Sequence, residues 1–295
     1  MSKKTIFTGS GVALVTPFTE DGINFDALGK LIDFQIDNKT DAIIICGTTG
    51  EASTMPDREH LAAIEFAVSH TKGRVPVIAG AGSNDTVHGA ALCREAEKLG
   101  IDGLLLVTPY YNKTSQRGLI QHYNLMANAA SSTPIILYNV PGRTGLNIEV
   151  STVKELSKNE QFVGIKDATG NISYTAQLAA TCPDMDIYSG NDDMILPIMS
   201  LGGKGVISVL ANVMPKETHD MCQLFLDGDT KGALKLQLDT LDLVKALFCE
   251  VNPIPVKTAL NLMGMEAGPL RLPLYEMADS TLAMLKKSLQ AHNLI

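Results

Sequence analysis

The chain has 295 residues, of which 45% are apolar and 19% charged, enough for a packed core and too apolar for long disordered segments. Its 24 basic residues are outnumbered by 32 acidic ones, and the net charge of −8 argues against a nucleic-acid surface, which needs clustered positive charge. No apolar run approaches the roughly 18–20 residues of a membrane span. The basic start, Lys3-Lys4-Thr5-Ile6-Phe7, lacks the apolar stretch of a secretory signal, so a cytoplasmic protein without a membrane partner is expected. Cys46, Cys93, Cys182, Cys222 and Cys249 are far apart, and none sits at C-x-x-C spacing. They read as reduced, mostly buried thiols and hold no metal pattern.

Apolar runs rich in Val, Ile and Leu recur at residues 11–18, 42–46, 75–79, 103–107, 134–138, 162–166, 186–189 and 205–210. Several are continuous rather than alternating, the mark of strands buried on both faces. Helical patterns lie between them. The first carries Phe25, Leu28, Leu31, Ile32 and Ile36, and the second Leu61, Ile64, Ala67 and Val68. The third opens at Asp85-Thr86 and stops at Gly100, and the fourth opens near Ser115. Shorter helices are predicted near Ile148, Ile172 and Asp192, and one more ends near Leu226. Residues 233–247, 254–263 and 280–292 read as further helices.

Eight strands alternating with helices predict an α/β protein of the (β/α)8 TIM-barrel class over residues 1–226, with a C-terminal helical extension over 227–295. A doubly wound sheet is the rival. It is disfavoured because Gly80-Ala81-Gly82 continues as Ser83-Asn84-Asp85, without the third glycine of a dinucleotide fingerprint.

The chain has no G-x-S-x-G, no H-E-x-x-H and no phosphate-binding P-loop. Gly202-Gly203-Lys204-Gly205 precedes the last strand and reads as a tight turn. In a barrel, functional residues gather at the C-terminal strand ends. The second strand ends in Gly47-Thr48-Thr49-Gly50-Glu51, a loop able to offer N–H groups and hydroxyls to an anion. The fourth ends in Thr108-Pro109-Tyr110-Tyr111, and the fifth in Tyr138-Asn139 followed by Arg143, a donor suited to carboxylates. The sixth places Lys166 inside an apolar strand, and no other lysine is read in such a run. A buried amine tends to lose its proton and then attacks carbonyls. The alternative, an ion pair with Asp167, conflicts with the opposite facing of adjacent strand residues. Asp192 and Asp193, after the seventh strand, read as helix caps. One lysine, tyrosines, threonines and an arginine, with no metal signature, describe a Schiff-base lyase or aldolase acting on acidic substrates.

These residues resemble the pyruvate-dependent aldolase superfamily and, within it, the dihydrodipicolinate synthase (4-hydroxy-tetrahydrodipicolinate synthase) family. The matching segments are residues 7–9, 47–51, 107–112, 138–145, 164–170, 189–192, 202–208 and 252–257. The resemblance implies a Schiff base between pyruvate and Lys166, attack on L-aspartate 4-semialdehyde, and cyclisation, in the diaminopimelate route to lysine. It implies a proton relay of Tyr138, Thr48 and Tyr111, the last from a neighbouring subunit of a homotetramer built as a dimer of dimers. Thr49 matches the pyruvate carboxylate site, Arg143 the semialdehyde carboxylate site, and Gly190 and Ile207 positions that line the pocket. No cofactor is implied. An allosteric lysine pocket would involve Tyr110, Asn84 and His60, but this chain has Ala52, Asp57 and His88 where lysine-sensitive relatives carry Ser, His and Glu, so weak inhibition is expected. The rivals are another pyruvate aldolase, such as N-acetylneuraminate lyase or a 2-keto-3-deoxy sugar acid aldolase, and a barrel used only for binding.

Overall fold

Strands that are apolar on both faces must be covered on both sides. The computed structural model, which describes residues 3–130 and 132–295, covers them with helices outside and with one another inside. The strands are β1 (Gly9–Ala13), β2 (Ala42–Ile45), β3 (Val77–Gly80), β4 (Gly103–Val107), β5 (Ile135–Asn139), β6 (Phe162–Asp167), β7 (Asp186–Ser189) and β8 (Gly205–Ser208). All pair in parallel and close in the order β1-β8-β7-β6-β5-β4-β3-β2, the predicted barrel. At the seam Gly9 pairs with Gly205. Gly205 has φ +144°, and a Cβ there would lie 1.8 Å from the Gly9 carbonyl oxygen, so only glycine lets β8 close against β1.

The outer helices are α1 (Phe25–Asp37), α2 (Asp57–Thr71), α3 (Thr86–Lys98), α4 (Gln116–Ala129), α5 (Val150–Leu156), α6 (Ile172–Thr181), α7 (Ile195–Ser200) and α8 (Pro215–Leu226). Asn24, Asp85, Ser115 and Asn171 cap α1, α3, α4 and α6 with side-chain oxygens, which explains why these helices start where the sequence suggests. The extension adds α9 (Thr230–Asp239), α10 (Leu241–Leu247), α11 (Ile254–Leu262) and α12 (Asp279–Ala291). Among the described residues no helix is long and apolar enough to cross a membrane.

Most predicted ends shift by one or two residues, and three differences stand out. The first strand is shorter and earlier than residues 11–18, and Phe18–Thr19 instead pairs with Gly22–Ile23 in a small antiparallel hairpin. The last strand stops at Ser208, because the Asp192 carboxylate takes the Val209 and Leu210 N–H groups and turns the chain into a 3-10 segment, Leu210–Asn212. The helix expected over 233–247 breaks at Thr240, whose hydroxyl donates back to the Leu236 carbonyl at 2.9 Å.

The core has two layers. Ile135, Leu137 and Ile165 face the helices, while Ile44, Ile78, Leu105, Ile136, Tyr138, Tyr188 and Ile207 fill the barrel. Leu243, Leu247, Val256, Leu260, Leu285 and Leu289 of the extension join the outer layer.

Candidate active site

β6 carries Lys166 with its side chain toward the barrel axis, between Tyr138 of β5 and Tyr188 of β7 in register. Lys166 is 6% exposed, and its Nζ lies 4.4 Å from the centroid of the Tyr138 ring. The ring face offers the amine an attractive quadrupole without a formal charge. Among the described residues no carboxylate comes within ion-pair distance of Lys166. Asp167 faces the other way, and its carboxylate accepts from Thr169 N (2.9 Å), Thr169 Oγ1 (2.7 Å) and Thr175 Oγ1 (2.6 Å). Burial pushes the buried Asp192 carboxyl up, while bonds from Ser208 Oγ, Leu210 N and Val209 N and the Lys166 charge pull it down. Asp192 therefore caps the 3-10 segment after β8 instead of its own helix, a correction to the capping reading. Burial also pushes the thiols of Cys46 and Cys222 up, which keeps them protonated and poor nucleophiles.

The loop after β2 is a tight turn. Gly50 N donates to Gly47 O at 3.1 Å and Glu51 N to Thr48 O at 3.1 Å. Among the described residues the N–H groups of Thr48 and Thr49 have no partner, so they are available to an anion. Thr48 is half-buried and Thr49 buried. Arg143 sits on the helical turn Pro141–Thr144 and donates from Nη2 to the main-chain oxygen of Asn252 at 2.9 Å. Gly190 N donates to Asp167 O at 2.8 Å, and a Cβ on Gly190 would meet Ala168 Cβ at 2.6 Å, so the β6 and β7 ends approach through backbone alone. Ile207 is fully buried in the inner layer.

A cavity of about 340 Å³ joins Thr48, Tyr138 and Arg143 to Ala52, Asp57, His60, His88 and Tyr110. The cavity thus joins part of the expected catalytic group to the expected allosteric pocket within one chain, while Lys166, Thr49, Gly190 and Ile207 are not among its lining residues. On the second side, His60 Nε2 lies 2.7 Å from Gly80 O, and Asn84 Nδ2 donates to Tyr110 O at 3.2 Å. His88 Nε2 lies 2.8 Å from Asp57 Oδ1, and its Nδ1 lies 3.0 Å from Ser83 Oγ. Tyr111 stands apart: it is 91% exposed, with φ +71°, a backbone region disfavoured for a bulky residue.

Two features escaped the sequence reading. Tyr188 stacks on Phe7 at 4.5 Å and bonds its carbonyl at 2.7 Å, forming the wall beside Lys166. More important, Lys166 is not the only lysine in an apolar run. Lys257 of α11 is 1% exposed and pairs with Glu51 at 2.6 Å. Its surroundings, Pro253 to Leu260, carry the signal, but a lysine on a helix is ordinarily solvated and so attracts no notice.

The chain matches the model of the "Dihydrodipicolinate synthetase family" over residues 6–292. It is 56% identical to the 4-hydroxy-tetrahydrodipicolinate synthase of Acetivibrio thermocellus over 294 residues, covering 99% of this chain and 100% of that one. A crystal structure of dihydrodipicolinate synthase from Aquifex aeolicus superposes with a TM-score of 0.95 at 44% identity, covering 98% of this chain and 99% of that one. The lysine-bound enzyme from Cyanidioschyzon merolae does so with 0.95 at 38%, covering 99% and 100%. The chain belongs to the dihydrodipicolinate synthetase family.

Proposed function

We propose that this protein is an enzyme that condenses pyruvate with L-aspartate 4-semialdehyde and lets the product cyclise, a step of the diaminopimelate route to lysine. The observation that carries the reading is Lys166: a buried lysine on a barrel strand, with no carboxylate partner, against the ring of Tyr138. As the neutral amine it attacks the keto carbon of pyruvate and expels water to give an imine. Loss of a methyl proton gives an enamine, whose carbon bonds to the aldehyde carbon. The amino group of the condensed product then attacks the imine carbon, closing the ring and releasing Lys166. The free N–H groups of Thr48 and Thr49 suit the pyruvate carboxylate, and Arg143 suits the second carboxylate. Tyr138, Thr48 and Tyr111 relay protons.

The exposure and left-handed backbone of Tyr111 support its insertion into a neighbouring subunit's site, within a cytoplasmic homotetramer assembled as a dimer of dimers. The family resemblance assigns Gly190 and Ile207 to the substrate site beside Lys166, outside the lining of the 340 Å³ cavity. No cofactor or metal takes part in this scheme. L-Lysine inhibits weakly or not at all: among the described residues Asp57 is the one carboxylate lining the cavity, and His88 already occupies it. The expected half-inhibition by L-lysine at subsaturating pyruvate lies above about 1 mM, an affinity of roughly 4 kcal/mol; a lower value overturns this assignment.

The deciding experiment adds borohydride with pyruvate and locates the adduct, then tests aldehydes in turn. One pyruvate-dependent adduct per chain on Lys166, and consumption of aspartate semialdehyde, are expected. Labelling elsewhere sinks the mechanism. Preference for an N-acyl sugar or a sugar-acid aldehyde would favour the other pyruvate aldolases, and no turnover would favour a binding barrel.

A further inference from the structure

Glu51 closes the loop that carries Thr48 and Thr49, and it does so with φ +55°, a left-handed conformation in which its Cβ is crowded. Its carboxylate is fully buried, and both oxygens are held from the extension. Oε1 accepts from Lys257 Nζ at 2.6 Å, and Oε2 accepts from Arg271 N at 3.0 Å. These donors are themselves fixed. Lys257 Nζ sits 4.3 Å above the Phe18 ring, and the Arg271 guanidinium lies 3.8 Å above the same ring and forms a forked pair with Glu59 of α2. A third contact reaches the loop directly: Asn252 Nδ2 donates to Thr49 Oγ1 at 3.0 Å.

Stability alone gives a poor account of this cluster. An apolar pair of similar volume often stabilises as well as a buried ion pair. What the ion pair adds is direction, because hydrogen-bonded charges fix the angle of the backbone that carries them. The Asn252 contact has the same character. A hydroxyl that accepts from an amide keeps its own hydrogen for another acceptor. Among the described residues the Thr49 hydroxyl donates to none, so its hydrogen is left for a ligand. The Asn252 main-chain oxygen meanwhile holds Arg143.

We propose that Glu51, Lys257 and Asn252 are positioning residues: the buried Glu51–Lys257 pair fixes the left-handed turn that presents the Thr48 and Thr49 N–H groups, and Asn252 aims the Thr49 hydroxyl, so the helical extension sets the geometry of pyruvate binding. This rests on the reading of Thr48 and Thr49 as the pyruvate carboxylate site. None of the three residues touches the reacting atoms. Their loss weakens capture of pyruvate and leaves the chemistry on Lys166 intact.

The test uses the full-length enzyme with Lys257→Met, with the uncharged double variant Glu51→Gln/Lys257→Met, and with Asn252→Ser. The last two bury no unpaired charge and keep the question open to measurement if Lys257→Met fails to fold. For each variant that is folded at the assay temperature, KM for pyruvate is expected to rise about 10-fold or more, while kcat at saturating pyruvate falls by less than about 3-fold. Borohydride with saturating pyruvate still labels Lys166. Folded variants with a lower melting temperature but KM for pyruvate within about twofold of the parent would reduce these residues to scaffolding and overturn the proposal. Absence of a pyruvate adduct in the parent enzyme would overturn the reading of the site and this proposal with it; an adduct with unmoved KM overturns the proposal alone.

Discussion

Two lysines are buried among the described residues, and they are buried in opposite ways. Lys257, in α11 of the extension, has Glu51 at 2.6 Å and Phe18 beneath it. Burial pulls its ammonium down to about 8, the Glu51 charge and hydrogen bond opposing the shift only in part. Lys166, on β6, has a tyrosine ring and no carboxylate partner. A lysine bonded to a buried carboxylate is held in place and withheld from carbonyl chemistry, since its direction is fixed. An amine with no carboxylate at ion-pair distance is free to move onto an electrophile. The difference separates a lysine that holds a loop from one suited to covalent chemistry, although both sit in apolar surroundings.

The sharpest way to break this contrast is to replace each lysine with methionine. Lys166→Met should lower turnover about 1,000-fold or more, while leaving the melting temperature unchanged or higher, because an unpaired polar end is exchanged for an apolar one of similar shape. A large drop in melting temperature would mean that Lys166 has a structural role. Lys257→Met should instead destabilise by about 3–5 kcal/mol in urea unfolding, since Glu51 is left buried with its charge uncompensated. Glu51→Gln/Lys257→Met should recover most of that loss. A single variant as stable as the parent would contradict the buried pair.

Arg143 sharpens the contrast from the substrate side, as an exposed cation that faces the cavity. Arg143→Ala should weaken use of the aldehyde by about 10- to 100-fold, the effect of one charge-assisted contact of roughly 1.5–3 kcal/mol, and leave imine formation with pyruvate unchanged. Equal damage to both steps would make Arg143 part of the scaffold through Asn252.

The smallest effect concerns His122, a buried group with neither a paired charge nor a reaction. Its Nδ1 meets Thr86 Oγ1 at 2.9 Å, and its Nε2 has no partner among the described residues. Burial holds its imidazole below the usual range, with the Asp85 charge acting in the opposite direction, and burial does the same to His60. As pH falls below about 6.5, the unfolded chain takes up protons that the native state does not, so stability falls down to the depressed native values. Urea unfolding at pH 7 and pH 5 should show this loss, and His122→Asn should make it smaller. An unchanged slope would mean that His122 titrates normally.

The barrel and its central lysine were legible in the sequence because both are local signals. Strand β6 is an apolar run of a few residues, and one charged residue within it stands out against its immediate neighbours. Asp85 and Ser115 announce their helices for the same reason, since a cap acts within three residues. The second lysine was not legible. Glu51 lies 206 residues from Lys257, Thr49 lies 203 from Asn252, and Arg143 lies 109 from Asn252. Nothing in the spacing along the chain relates these pairs, and a lysine on a helix is ordinarily solvated even among apolar neighbours. Only closure of the barrel, with the extension packed across the β2 and β5 ends, brings them within hydrogen-bonding distance. The burial of Lys166 on its strand was thus readable from local signals, whereas the geometry of the loops around it depended on contacts that form only after the whole chain has folded.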